Sequence, residues 1–216
     1  MNLPTLPSRL YAVCDADVCA QAGWTLIDVA AACMDGGATL LQLRAKHSSS
    51  STFLADTERV MIRAVAARAT IIVNDRADVA RLAGAHGVHV GQGDLAPAAV
   101  RQVVGPEALV GLSTHNTEQL TAAVQEPVQY VAIGPVFGTA TKDTGYTPVG
   151  LDAVRRAAAI AGDAHVPVVA IGGITVDRAS DVLQAGATAV AVISDILVGN
   201  DPAGRVRAFL ERLARV

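Results

Sequence analysis

Eight short apolar runs recur along the chain, each four to six residues long and each followed by a stretch with helical spacing of apolar residues. The runs are Leu10 to Val13, Thr39 to Leu43, Thr70 to Val73, Gly87 to Val90, Leu109 to Leu112, Tyr130 to Ile133, Pro167 to Ile171 and Thr188 to Ile193. They are continuous in Val, Ile, Ala and Leu rather than alternating with polar residues, which is the pattern of strands in a parallel sheet covered on both faces. Between them, Thr25 to Met34, Phe53 to Ala69, Pro97 to Val104, Thr117 to Gln125, Leu151 to Ala161, Thr175 to Gln184 and Ala203 to Val216 read as helices, with Gly36-Gly37 and Gly186 as stops and Pro97 as a start. About eight strands alternating with about eight helices in 216 residues predict a single (β/α)₈ TIM barrel preceded by a short arm over residues 1–9. A doubly wound open sheet is the alternative, but no G-x-G-x-x-G follows the first run and the runs do not stop at six.

The chemistry then belongs at the C-terminal ends of the strands. Two consecutive runs end in a carboxylate, at Asp75 after Val73-Asn74 and at Asp94 after Gly91-Gln92-Gly93. A parallel strand, helix, strand unit brings both ends out on one side of the sheet, where a pair of hard oxygen ligands suits Mg²⁺ beside a substrate phosphate; the plainer reading makes each Asp a helix cap. Gln42, Arg44 and Lys46 share one face at the end of the second run for as long as the chain stays extended. Arg44, Lys46 and Lys142 can meet phosphate oxygens, Arg in a fork and Lys as a point charge. Gly172-Gly173 and Ile193-Ser194 follow the seventh and eighth runs, a common phosphate site in this fold. Two anions are therefore expected: one on the Gly173 and Ser194 loops, the other resembling a diphosphate. The long polar stretch from Phe137 to Pro148 reads as a lid.

Composition removes several classes. A formal net charge of -3 and 3% aromatic residues give neither the basic footprint nor the stacking platform of a nucleic-acid binder. No apolar run approaches a membrane span, no basic segment with a following apolar stretch opens the chain, and Cys14, Cys19 and Cys33 form no C-x-x-C. A soluble cytoplasmic protein is expected, with the cysteines as small core hydrophobes. His86, His89 and His115 read as barrel-lining or hydrogen-bonded histidines rather than metal ligands.

In these motifs, taken in order, the chain resembles the thiamine phosphate synthase family: QLRAK at Gln42 to Lys46, VNDRADVA from Val73, GVHVGQGD ending at Asp94, GLSTH from Gly111, GPVFGTATK ending at Lys142, VAIGGI from Val169 and VAVISDI ending at Ile196. The resemblance implies a (β/α)₈ transferase that joins a hydroxymethylpyrimidine diphosphate to a thiazole phosphate, or its carboxylated form, and releases pyrophosphate. It implies that Gln42, Arg44, Lys46, Asn74, Ser113 and Lys142 contact the pyrimidine diphosphate, with Arg44, Lys46, Ser113 and Lys142 in the catalytic role. It further implies that Asp75 and Asp94 hold Mg²⁺ and that Thr139, Thr141, Gly173, Ile193 and Ser194 take the thiazole phosphate. Gly93, in place of a polar residue, and Cys14 depart from the family pattern outside these positions. Partners are then small-molecule substrates, with a homo-oligomer allowed. The rivals are a thiazole tautomerase relative, which has no use for two aspartates and three cations, a Schiff-base aldolase using Lys142, and a regulatory barrel that binds a phosphate ligand without chemistry.

Overall fold

A computed structural model describes residues 6–138 and 147–216. Its eight strands are β1 (Leu10–Asp15), β2 (Leu40–Arg44), β3 (Thr70–Asn74), β4 (Gly87–Val90), β5 (Leu109–Thr114), β6 (Tyr130–Ile133), β7 (Val168–Ile171) and β8 (Ala189–Val192). Each pairs in parallel with the next, and β1 pairs with β8 through Leu10 to Val190 and Ala12 to Val192, so the sheet closes on itself. Among the described residues the helices are α1 (Ala16–Gln21), α2 (Leu26–Asp35), α3 (Ser50–Ala67), α4 (Ala77–Ala83), α5 (Pro97–Val104), α6 (Thr117–Ala123), α7 (Gly150–Asp163), α8 (Val176–Gln184) and α9 (Pro202–Leu213), with a short 3₁₀ segment over Ser194–Asn200. This is the (β/α)₈ barrel expected from the alternating runs. The one helix without a sequence expectation is α1, whose six residues start directly at Asp15, the carboxylate that ends β1 and accepts from the backbone N–H groups of Asp17 and Val18.

Strand alternation divides the core in two. Outward-facing Ala12, Leu41, Ile71, Val88, Val110, Val131, Ala170 and Val190 pack under the helices together with Cys14, Cys19 and Cys33, all three buried. Burial pushes the Cys19 thiol up to about 12, and the contact with Cys33 together with burial raises the Cys14 thiol well above its ordinary value, so both stay protonated and behave as the small hydrophobes expected of them. The inward set is smaller: Tyr11, Val13, Leu40, Ile72, Tyr130, Ala132, Val169, Ala189 and Ala191. Bulk sits on β1, β2, β3 and β6, whereas β8 turns Ala189 and Ala191 inward.

Candidate active site

Two regions meet at the C-terminal mouth. The first spans β1 to β4 and carries the charges. Arg44, near the end of β2, donates through a guanidinium N–H to the Oδ2 of Asp15, directly across the β1–β2 register pair, and both are nearly buried. Its Nε is buried without a hydrogen-bond partner. Lys46 lies beyond the end of β2, so the common face with Gln42 and Arg44 expected from alternate spacing ends at Arg44. Instead the loop swings the ammonium toward β3, where Nζ stands 3.0 Å from Asp75 Oδ2. The chain turns sharply here: Asp75 has φ +62°, in the left-handed region, and its N–H donates to the His89 carbonyl of β4 at 2.8 Å. The exposed Asp94 folds back, its Oδ2 accepting from Gly91 N–H at 2.8 Å, and brings its carboxyl beside that of Asp75. Burial raises the Asp75 carboxyl above its ordinary value and the Asp94 carboxyl adds to the rise, against the pull of Lys46. Neither aspartate caps the helix that follows: α4 and α5 have no side-chain cap bond.

Such a pair fits a hard divalent cation. A carboxylate whose proton affinity is raised by burial and by a second carboxylate beside it is relieved by a divalent cation, and Mg²⁺ takes only one or two protein carboxylates while keeping its waters. Among the described residues no group of three or more His, Cys, Asp or Glu gathers for a metal. Asn74 is buried next to this pair at the end of β3.

The second region is a cavity of about 590 Å³ over β5 to β8, lined in part by Ser113, His115, Gly173, Ile193 and Ser194. Gly173 has φ +63°, and a Cβ there would lie 2.5 Å from the Gly138 carbonyl, so glycine is what lets the loop after β7 touch the loop after β6. Backbone bonds join them: Val136 N–H donates to Ile171 at 2.8 Å and Phe137 N–H to Gly172 at 3.0 Å. Arg178 covers the junction, its guanidinium 4.7 Å from the Phe137 ring centre and donating to the Gly173 carbonyl at 3.0 Å. Behind Ser194, Asp195 Oδ2 accepts from Arg205 at 2.7 Å and from Val176 N–H, the first residue of α8, at 3.3 Å, so one carboxylate ties the loop after β8 to two helices. Thr139, Thr141 and Lys142, and the lid read over Phe137 to Pro148 from Thr139 to Tyr146, lie outside the described residues.

Of the residues singled out from sequence, Gln42, Arg44, Lys46, Asn74, Asp75 and Asp94 stand together at the β2 to β4 end. Gly173, Ile193 and Ser194 stand across the mouth, and Ser113 stands between the groups. Sequence reasoning passed over Asp15, although Ala12-Val13-Cys14-Asp15 has the same strand-then-carboxylate form as Asp75 and Asp94. It also passed over Tyr11 and Tyr130, whose hydroxyls meet inside the barrel at 2.9 Å. His89 is a barrel-lining, hydrogen-bonded histidine as expected, with Nδ1 3.0 Å from Tyr130 OH and Nε2 2.8 Å from Ser113 Oγ. His115 Nδ1 stands 2.6 Å from the Gly134 carbonyl.

Comparison with known proteins shows the family of the chain. Residues 10–196 match the family model described as thiamine monophosphate synthase. The thiamine-phosphate synthase of Koribacter versatilis is 47% identical over 207 residues, covering 95% of each chain, and that of Chloroflexus aurantiacus is 40% identical over 201 residues, covering 92% of this chain and 89% of the relative. Among solved structures, thiamine phosphate pyrophosphorylase from Pyrococcus furiosus superposes with a TM-score of 0.85 at 26% identity, covering 96% of each chain. More distant barrels, such as 3-hexulose-6-phosphate synthase at 15% identity and a TM-score of 0.63, share the fold alone. With residues 10–196 matched by the family model and a relative 47% identical over 95% of the chain, the chain belongs to the thiamine monophosphate synthase family.

Proposed function

We propose that the β1 to β4 side of the mouth binds 4-amino-2-methyl-5-hydroxymethylpyrimidine diphosphate and that the β5 to β8 cavity binds 4-methyl-5-(2-phosphoethyl)thiazole or its carboxylated form. The observation that carries this reading is the convergence of Asp75 and Asp94 beside Lys46, next to an Arg44 whose buried Nε lacks a partner. An unsatisfied buried N–H costs about 1–3 kcal/mol, and a diphosphate oxygen would satisfy it. Asp75 and Asp94 would hold Mg²⁺, which when bound supplies neutralisation of charge on the diphosphate.

Arg44 and Lys46, with Lys142 from the loop after β6, hold the diphosphate through charge-assisted bonds that strengthen as it leaves. The C–O bond between the pyrimidine methylene and the diphosphate breaks, and pyrophosphate departs with the electron pair. The ring amino group stabilises the methylene cation that remains. The thiazole nitrogen then gives its lone pair to the methylene, forming the C–N bond of thiamine monophosphate; from the carboxylated thiazole the carboxyl group also leaves as CO₂, its bonding pair staying on the ring carbon and taking up a proton. Gly173 and Ser194, with Thr139, Thr141 and Ile193, hold the thiazole phosphate so that this nitrogen faces the methylene, an orientation effect. No side-chain nucleophile is needed. The loop from Gly138 to Pro148 excludes water that would otherwise capture the cation. Unpaired buried cysteines suit a reducing compartment, which supports a cytoplasmic setting.

Pyrophosphate release and thiamine monophosphate formation from both substrates, measured with Mg²⁺ and then with EDTA, test the reading. Product that disappears on chelation is expected. No product with Mg²⁺, together with binding of the thiazole phosphate alone, would refute it and favour a tautomerase-like activity.

A further inference from the structure

A hydrogen-bonded chain crosses the inside of the barrel from β2 to β5. Gln42 Nε2 donates to Tyr11 OH at 2.9 Å, the Tyr11 and Tyr130 hydroxyls lie 2.9 Å apart, Tyr130 OH is 3.0 Å from His89 Nδ1, and His89 Nε2 is 2.8 Å from Ser113 Oγ. The five residues come from five different strands. Donor counting gives the chain a direction. An amide nitrogen only donates, so Tyr11 oxygen accepts; its one hydrogen passes to Tyr130, and that of Tyr130 to His89 Nδ1. A bare Nδ1 puts the imidazole hydrogen on Nε2, where it is given to Ser113. Ser113 therefore keeps its own hydroxyl hydrogen to donate, and Gln42, with one amide hydrogen committed to Tyr11, keeps its amide oxygen to accept. Reversing the chain requires every member to turn, including the Gln42 amide, because with the amide nitrogen on Tyr11 a mixed arrangement makes one tyrosine oxygen accept twice and leaves its buried hydroxyl hydrogen without an acceptor in the chain.

Packing holds the members in place. The His89 ring stacks on Tyr130 with centroids 5.4 Å apart and planes 20° apart, and Tyr11 meets Tyr130 edge-on at 5.9 Å. Gly111 on β5 admits the phenol: a Cβ there would stand 2.1 Å from Tyr130 Cζ. Barrel interiors are ordinarily filled by branched aliphatic residues, so two buried phenols and an imidazole in their place call for a reason.

We propose that Tyr11, Tyr130 and His89 are positioning residues that set Gln42 as an acceptor and Ser113 as a donor toward the pyrimidine, and that this polarity selects an amino-substituted ring over its oxo counterpart. The proposal rests on the assignment of Gln42 and Ser113 to the pyrimidine diphosphate. An exocyclic N–H meets the Gln42 oxygen, whereas an oxo group at the same carbon sets lone pairs against lone pairs and leaves buried polar groups unpaired.

The test compares kcat/KM for the aminopyrimidine diphosphate and its oxo analogue, at fixed thiazole phosphate, in the unaltered chain and in Tyr130→Phe. Preference for the amino ring is expected to fall at least about tenfold, carried by KM for the pyrimidine, with KM for the thiazole phosphate unchanged. Tyr11→Phe breaks the chain one link earlier and is expected to do the same if Tyr130→Phe does not fold. Nitrogen-15 NMR of the unaltered protein is expected to find His89 as the Nε2–H tautomer. A folded Tyr130→Phe or Tyr11→Phe with undiminished preference, or an Nδ1–H tautomer, would overturn the proposal alone. Failure of the unaltered chain to release pyrophosphate from the amino substrate would instead remove the assignment of Gln42 and Ser113, and the proposal with it.

Discussion

Replacing Asp15 separates two roles that one buried carboxylate performs. Its Oδ2 takes the guanidinium of Arg44, and its Oδ1 accepts from Asp17 N–H at 3.1 Å and Val18 N–H at 3.3 Å, capping α1. With side chains only 12% and 3% exposed, this pair sits in the range where removing one partner strands a charge away from water, at a cost of about 3–5 kcal/mol. Losing the cap adds about 1 kcal/mol. Asp15→Ala should therefore destabilise by about 4–6 kcal/mol, trimmed by whatever water reaches Arg44 through the mouth. Asp15→Asn keeps a capping oxygen and a neutral acceptor for Arg44, so its cost should be smaller by about 1–2 kcal/mol. Urea unfolding, with the midpoint compared at constant slope, reads both values. The two variants should also raise KM for the pyrimidine diphosphate, because Arg44 loses the contact that aims it. A cost below about 1 kcal/mol for Asp15→Ala would refute the reasoning, since it would mean that Arg44 is as well served by solvent as by Asp15.

Asp94→Ala should lower turnover by orders of magnitude with little change in the urea midpoint, because Asp94 is exposed on a loop; unchanged pyrophosphate release would remove it from the metal site. Ser194→Ala should chiefly raise KM for the thiazole phosphate, and an effect confined to the diphosphate substrate in steady-state kinetics would reverse the assignment of the two subsites. His86 gives a pH dependence: Ile71 N–H donates to its Nδ1 at 3.0 Å, and burial lowers its pKa from the ordinary 6.5. A depressed folded value means that the neutral form is favoured on folding, so its contribution is complete above pH 6.5 and is lost as pH falls through the folded value. His86→Ala should accordingly lose less of its urea midpoint between pH 7 and pH 5 than the unaltered chain does, and parallel losses would refute this.

The amino-acid sequence alone determined the barrel and the side on which its chemistry gathers. Continuous apolar runs specify strands buried on both faces, and parallel strands all end on one side, so Asp75 and Asp94 had to emerge together whatever the packing between them. The glycines after β7 were legible in the same way. Tertiary structure alone decided which charges meet. Lys46 turns to Asp75 because β2 ends at Arg44, and Arg44 is taken by Asp15 because the closed sheet sets β1 beside β2 in a register that puts the two side chains opposite each other. Neither pairing has a local signature, since residues 29 apart carry no mark of the register that joins them. The same holds for the chain from Gln42 to Ser113. Tyr11 and Tyr130 are 119 residues apart, and only closure of the barrel, with glycine at 111, brings their hydroxyls within hydrogen-bond distance, between Gln42 on one side and His89 on the other.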